Sequence, residues 1–283
     1  MEILKTKAEM QAWSKNKKKQ LRTLCFVPTM GYLHQGHVSL MEKGRPLCDE
    51  LVLSIFVNPT QFGPNEDLSS YPSNIENDLL LAEKAGVTAV FLPHKQDMYP
   101  EYFQTEIKLQ SLPRHLCGKF RPVHFAGVAV VVTKLFNIIM PDMAVFGMKD
   151  YQQLRIIRQL VLDLDFDIKI LAGDIIREKD GLAMSSRNAY LSEAQRASAL
   201  SLSRSLNLAR ELISGGEKKA EPIRSRIEAL IHSFPETKVE YISFCRPETL
   251  EEIEGIEGEV LLALAVKVGK TRLIDNALIH PGL

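Results

Sequence analysis

A chain of 283 residues, 45% apolar and 25% charged, is long enough to bury an ample core and to form two domains. Lys plus Arg and Asp plus Glu balance at 35 each, which excludes the basic field of a nucleic-acid binder and any global attraction to an anionic membrane. No apolar run approaches the ~20 residues of a membrane helix, and Met1-Glu2-Ile3-Leu4-Lys5 lacks the apolar core of a signal peptide. The four cysteines, Cys25, Cys48, Cys117 and Cys245, lie too far apart for a C-x-x-C pair, so reduced thiols in the cytoplasm are expected.

Residues 5–18 read as a surface helix whose basic cluster, Lys15, Lys17, Lys18 and Lys19, is a solvated end; a first strand follows at 22–28. A helix at 37–48 leads to a second strand at 50–57, whose almost continuous apolar run suits a parallel strand covered on both faces. Two prolines and a glycine make 58–65 a loop. A helix at 74–86 and a third strand at 87–92 come next, then an irregular, proline-punctuated stretch over 93–123 with a short strand at 105–109. Beyond it the pattern gives a helix at 126–139, a strand at 143–146, a helix at 150–163 and a strand at 167–172. Such alternation predicts a doubly wound parallel sheet, with ligand-binding loops at the carboxyl ends of the strands, starting at Pro28, Asn58 and Phe146.

From about 176 the texture changes. A polar loop over 176–188 precedes helices at 192–213 and 220–233 and strands at 238–244, 259–268 and 271–279, the last two joined by a tight hairpin through Val268-Gly269-Lys270. A second, smaller α+β domain is expected there.

Four stretches carry chemistry. Pro28 ends the first strand, Gly31 and Gly36 permit a tight turn, and His34 and His37 stand at the entrance of the next helix. Backbone N–H groups and the positive end of the helix dipole make that entrance a phosphate site, and two imidazoles there suggest phosphate chemistry. Asn58-Pro59-Thr60-Gln61-Phe62 supplies amides able to hold the hydroxyl and carboxylate groups of a small polar substrate. Gly147-Met148-Lys149-Asp150-Tyr151-Gln152-Gln153 puts Lys149 between a strand and a helix N-terminus, where an ammonium meets phosphate as a point charge. Met184-Ser185-Ser186-Arg187 offers two hydroxyls and a guanidinium, a grip suited to phosphate oxygens.

Met30-Gly31-Tyr32-Leu33-His34-Gln35-Gly36-His37 resembles the signature of the H-x-G-H nucleotidylyl transferases, and Met184 to Arg187 resembles their second hallmark loop. Together with Phe56 to Phe62, Arg121-Pro122-Val123-His124-Phe125 and Phe146 to Leu154, the match narrows to the pantoate–β-alanine ligase (pantothenate synthetase) family. The resemblance runs from about residue 24 to 190 and is weaker in the C-terminal third. It implies a Rossmann-like catalytic domain over 1–175 and an α+β lid over 176–283. It further implies ATP-dependent condensation of (R)-pantoate with β-alanine through a pantoyl adenylate, with Mg²⁺ on the phosphates and a homodimeric assembly.

The same resemblance makes His34, His37 and Lys149 the catalytic groups, and gives ATP the segment Met30 to His37, Gly147, Met148, Lys149, Asp150, Ile176, Met184, Ser185, Ser186 and Arg187. The organic substrates are implied to meet Gln61, Gln153 and Asn58. Asp78 resembles an acidic position acting on magnesium, and is otherwise an exposed helix carboxylate; Arg121 and His124 fit a flap. Met148 stands where a charged residue is expected and Asp174 where a proline is. His94, His115, His232 and His280 are expected to be structural. Other nucleotidylyl transferases, a class I aminoacyl-tRNA synthetase and an inert nucleotide-binding module are the alternatives; the neutral charge disfavours the second, and the paired histidines with Gln61 and Gln153 disfavour the third.

Overall fold

In the computed structural model the described residues are 1–64 and 66–281; Asn65, the last residue of the expected loop, lies outside them, as do Gly282 and Leu283 at the end of the expected second domain. The chain divides into two compact units, one formed by Met1–Gln110, Arg121–Met148 and Gln153–Asp174, the other by Ser111–Phe120, Lys149–Gln152 and Ile175–Leu283.

In chain order the elements are β1 (Glu2–Leu4), α1 (Lys7–Lys19), β2 (Leu24–Thr29), α2 (Gln35–Gly44), β3 (Glu50–Ile55), α3 (Ile75–Lys84), β4 (Ala89–Phe91), α4 (Lys95–Met98), α5 (Leu116–Phe120), α6 (His124–Ile139), β5 (Met143–Gly147), α7 (Tyr151–Asp163) and β6 (Lys169–Gly173). They continue with α8 (Glu193–Ser214), α9 (Ala220–His232), β7 (Thr237–Cys245), β8 (Val260–Val268) and β9 (Thr271–Ile279).

In the first unit six parallel strands pair in the order β1-β4-β3-β2-β5-β6. Side chains alternate across the sheet, as the strand period of two requires. Leu24 and Phe26 of β2, Val52 of β3 and Phe146 of β5 enter a core with α1, α6 and α7, where Phe136 meets Phe26, Phe146 and Phe166 edge-on. Cys25 and Val27, Leu51 and Leu53, and Val145 enter the opposite core with Val38 and Met41 of α2 and Ala82 of α3. With both faces covered, the sheet is the doubly wound, Rossmann-like layer that the apolar strands predicted.

The second unit is the smaller α+β body: β7, β8 and β9 form an antiparallel sheet, with α8 and α9 sharing its core. The hairpin at Val268 to Thr271 is as expected, with Gly269 in the left-handed region at φ +56°.

Local expectations change. Pro28 does not end its strand: β2 runs on to Thr29, with Pro28 opposite Ser54 and Thr29 opposite Ile55. No strand forms at 105–109; Ile107 and Leu109 pack on the core, but no ladder partner meets their backbone. The three-residue β1, absent from the expected elements, adds an edge by pairing with β4 from Glu2↔Ala89 to Leu4↔Phe91.

Candidate active site

The strand order reverses at β2: its chain proceeds through β3 and β4 on one side, while β5 and β6 lie on the other. In an open parallel sheet the crevice at such a point, outside the carboxyl ends of the strands, is where ligands bind. β2 delivers the turn with the two histidines to this edge, and β5 ends there at Gly147.

Gly31 (φ +84°) and Tyr32 (φ +51°) turn the chain back after β2. A Cβ on Gly31 would meet Ile55 Cγ2 at 2.9 Å and Asp78 Oδ2 at 3.1 Å, so the close approach as well as the dihedral calls for glycine. Tyr32 has no such licence, and Asp78 holds it. The carboxylate, on α3 and fully buried, accepts the Tyr32 N–H at 2.8 Å on Oδ2 and the Leu33 N–H at 2.6 Å on Oδ1. Burial pushes its pKa up, against the lowering effect of the two amide bonds. Of the two expectations for Asp78, the exposed position is overturned by this burial; a magnesium role would have to share a carboxylate whose oxygens are both committed to the turn.

The chain then enters α2 with His34 as its N-cap. His34 Nδ1 accepts the Gly36 N–H at 3.1 Å, and His37 Nδ1 accepts the His34 N–H at 3.3 Å. The rings lie 4.1 Å apart between centroids. An Nδ1 that accepts cannot carry the proton of a neutral ring, so this network assigns that proton to Nε2 in both residues. Each imidazole is thereby oriented to use Nε2–H as a donor beside the positive end of a helix.

After β3, Pro59–Gln61 forms a single 3₁₀ turn capped by Asn58. Asn58 Nδ2 donates to Gln61 Oε1 at 3.1 Å and to the Gly127 carbonyl at 3.2 Å, and Gln61 Nε2 donates to Met30 Sδ at 3.0 Å. The Gln61 carbonyl accepts Arg121 Nη2 at 3.3 Å and faces His124 Nδ1 at 3.0 Å. Arg121 in turn grips Glu66 through Nε at 2.7 Å and Nη2 at 2.5 Å. So the two residues expected in a flap brace the main chain of Gln61. Burial raises the Glu66 carboxyl, but its bonds and charge pairing with Arg121 outweigh that and hold it below the usual range. Gly127 makes the approach possible: a Cβ there would overlap the Thr60 carbonyl and come within 2.7 Å of Gln61 N. Gln153 sits half-buried in the first turn of α7, just after β5.

The second unit gathers its own set. Ile176 and Met184 face each other, the Met184 N–H donating to the Ile176 carbonyl at 2.9 Å across a small two-stranded loop that also pairs Arg177 with Ala183. Two arginines anchor that loop through ion pairs. Arg177 meets the buried Asp275 of β9 at 2.7 and 2.9 Å, and Arg196 of α8 meets Glu178 at 2.7 Å and Asp180 at 2.8 Å. Ser185 caps the turn that begins at Ser186, its Oγ accepting the Arg187 N–H at 3.3 Å. Lys149, in the turn before α7, has its main-chain carbonyl fixed by Asn276 Nδ2 at 2.9 Å. Among the described residues no group of three or more His, Cys, Asp and Glu is arranged to hold a metal ion.

A family profile described as pantoate-β-alanine ligase matches residues 2–278. The chain belongs to that family. It is 55% identical over 281 residues to the pantothenate synthetase of Desulfatibacillum aliphaticivorans, covering 99% of this chain and all of that one. The crystal structure of pantothenate synthetase from Thermus thermophilus matches with a TM-score of 0.94 and 40% identity, over 99% and 100% of the two chains. That of the Francisella tularensis pantoate-β-alanine ligase, complexed with Beta-gamma ATP and β-alanine, matches with a TM-score of 0.82 and 33% identity, over 98% and 97%.

Two outcomes follow from the braces. Asp78→Asn keeps the shape but turns an NH₂ group toward one of the two amides, so unfolding free energy falls by about 1–3 kcal/mol in a urea titration. An unchanged midpoint would show that the turn does not need its carboxylate. Glu66 has a depressed folded pKa, so its contribution is present above the ordinary glutamate value of roughly 4.3 and is lost as pH falls through the folded value. Thermal midpoints followed through that acid range should fall less steeply for Glu66→Gln than for the parent chain.

Proposed function

We infer that this chain is a ligase that joins (R)-pantoate to β-alanine, with ATP converted to AMP and pyrophosphate. The observation that carries this reading is the pair of Nδ1-tethered imidazoles at the N-terminus of α2, set at the switch point of a parallel sheet, in a chain that fits the family over residues 2–278. A carboxylate does not react with an amine, because its negative charge repels the nucleophile and oxide is a poor leaving group. Attack of the pantoate carboxylate on the α-phosphorus of ATP expels pyrophosphate and leaves a mixed anhydride. The amine of β-alanine then adds to the activated carbonyl, and collapse expels AMP with loss of the ammonium proton. No side-chain nucleophile takes part, so positioning and phosphate electrostatics supply the acceleration.

His34 and His37 donate Nε2–H to phosphate oxygens as charge shifts toward the leaving pyrophosphate. Lys149, the Met30–His37 turn, Gly147, Met148, Asp150, Ile176 and Met184 to Arg187 serve the nucleotide. Gln61 and Gln153 bind the acid substrate, and Asn58 acts by orienting Gln61. Mg²⁺ enters with the triphosphate as MgATP; an ion that keeps most of its water and binds substrate phosphates needs no dedicated protein cage. The neutral charge balance disfavours a nucleic-acid partner, and no helix among the described residues is long and apolar enough to cross a membrane. Four free thiols suit a reducing cytoplasm, and homodimerisation rests on the family resemblance.

Mixing the protein with pantoate, β-alanine and MgATP should yield pantothenate and AMP by mass detection, and omitting β-alanine should abolish both as free products beyond a single turnover. AMP retained in the organic product would instead indicate another nucleotidylyl transferase. His34→Ala and His37→Ala each lower pantoate-dependent pyrophosphate release by ~10²-fold or more while the fold survives. Near-normal release by both variants would remove the imidazoles from the phosphate chemistry.

A further inference from the structure

Tyr99 lies in the proline-punctuated stretch where no motif singled it out, yet its side chain ends on the Gln61 turn. Its ring meets Phe103 edge-on at 5.1 Å and Phe56 at 6.4 Å, and Lys134 Nζ stands over both Tyr99 and Phe103 at 5.9 and 4.8 Å. Aromatic contact on two sides and a cation above leave the ring little freedom. Its hydroxyl donates to Asn58 Oδ1 at 2.7 Å and lies 3.1 Å from Thr60 Oγ1. Burial pushes the Tyr99 phenol up, against the lowering effect of the Thr60 hydroxyl, which keeps it a donor.

The consequence runs through two amides. An amide side chain fits the same space in two orientations, and only its hydrogen bonds select one. Asn58 Oδ1 receives three donors: Tyr99 Oη at 2.7 Å, Thr60 Oγ1 at 3.0 Å and Thr60 N at 3.4 Å. That fixes it as the carbonyl end. Asn58 Nδ2 must then face Gln61 and the Gly127 carbonyl, and an NH₂ group requires an acceptor opposite it, so Gln61 turns Oε1 toward Asn58. The Gln61 NH₂ is left at the other end, against Met30 Sδ at 3.0 Å, and a thioether is a weak acceptor that a carboxylate or hydroxyl oxygen displaces readily.

We propose that Tyr99 is a positioning residue for the acid substrate: through Asn58 it locks the Gln61 amide so that pantoate meets N–H donors and never the amide oxygen. This rests on Gln61 as the pantoate-binding residue of the ligase inferred above. A carboxylate offers only acceptors, so a flipped Gln61 would oppose it with a lone pair. The structure thus spends a buried asparagine, whose donors and acceptor are all engaged within the unit, on excluding that state.

Tyr99→Phe keeps the ring and removes the donor. The expected result is a KM for pantoate raised roughly tenfold, the worth of about one hydrogen bond, with KM for ATP and the melting temperature nearly unchanged. A purely structural role would raise both KM values together. In a Gln61→Ala background the Tyr99→Phe change should have no further effect on pantoate use, because nothing remains to be oriented. Equal losses with and without Gln61, or an unchanged pantoate KM, would overturn the proposal. Should Tyr99→Phe fold poorly, Asn58→Asp breaks the same relay by replacing the NH₂ that faces Gln61 and is read by the same two comparisons. Failure of the unsubstituted protein to form pantothenate would strike the functional reading instead, and is seen before any variant is made.

Discussion

The grip of Asp78 on the amides of Tyr32 and Leu33 is the contact on which the geometry of the histidine turn depends. A left-handed tyrosine costs roughly 1–2 kcal/mol, and hydrogen bonds to a charged acceptor contribute about 1.5–3 kcal/mol each. The two bonds therefore hold a conformation the local sequence would not choose, although burying the carboxylate offsets part of the gain. If the turn relaxed, His34 would leave the N-cap position of α2 and its Nδ1 would lose the Gly36 N–H. The strain sits at the entrance of α2, beside the two imidazoles proposed to meet phosphate, and strained turns tend to cluster at such sites.

The Gln61 turn is held differently. It has no unusual dihedral to support; its difficulty is crowding, solved by Gly127 on α6, and ambiguity, solved by hydrogen bonds on both ends of each amide. Arg121 and His124 take the main-chain carbonyl while Asn58 takes the side chain, so position and orientation are fixed by separate groups. Glu66 pairs with the guanidinium that does this, so the charge beside the turn is balanced within the unit.

Much of this was legible in the sequence wherever the information is local. Strand β3 announced itself as an apolar run of the kind covered on both faces, β2 as a shorter apolar run, and the histidine turn carried its glycines and imidazoles in eight consecutive residues. What escaped was set by distant partners. Glu2-Ile3-Leu4 is a strand only because β4 lies beside it, whereas 105–109 has a better strand pattern and no neighbour. Asp78 looks like any helix carboxylate until the fold brings it to amides some 45 residues earlier in the chain. Gly127 reads as a weak spot in an apolar helix, and its use appears only when the Thr60 carbonyl is seen against it. Helix ends also shifted by local chemistry: α2 starts at Gln35, two residues before the expected position, because an imidazole caps it in place of the usual hydroxyl or carboxylate.

The two turns solve one problem by the same means. Phosphate and carboxylate both present oxygen lone pairs, so a site for either must offer donors and hide acceptors. Imidazole and carboxamide each carry one of both, and either can present the wrong atom at little cost if left alone. Here every acceptor atom of these groups is occupied from within: Nδ1 of His34 and His37 by main-chain N–H groups, Oε1 of Gln61 by Asn58. The remaining side-chain nitrogen is an N–H donor in all three residues. For the ligase proposed above, which would take two anionic reactants and use no nucleophile of its own, that polarity matters more than reactivity, and it is set here by backbone and buried amides.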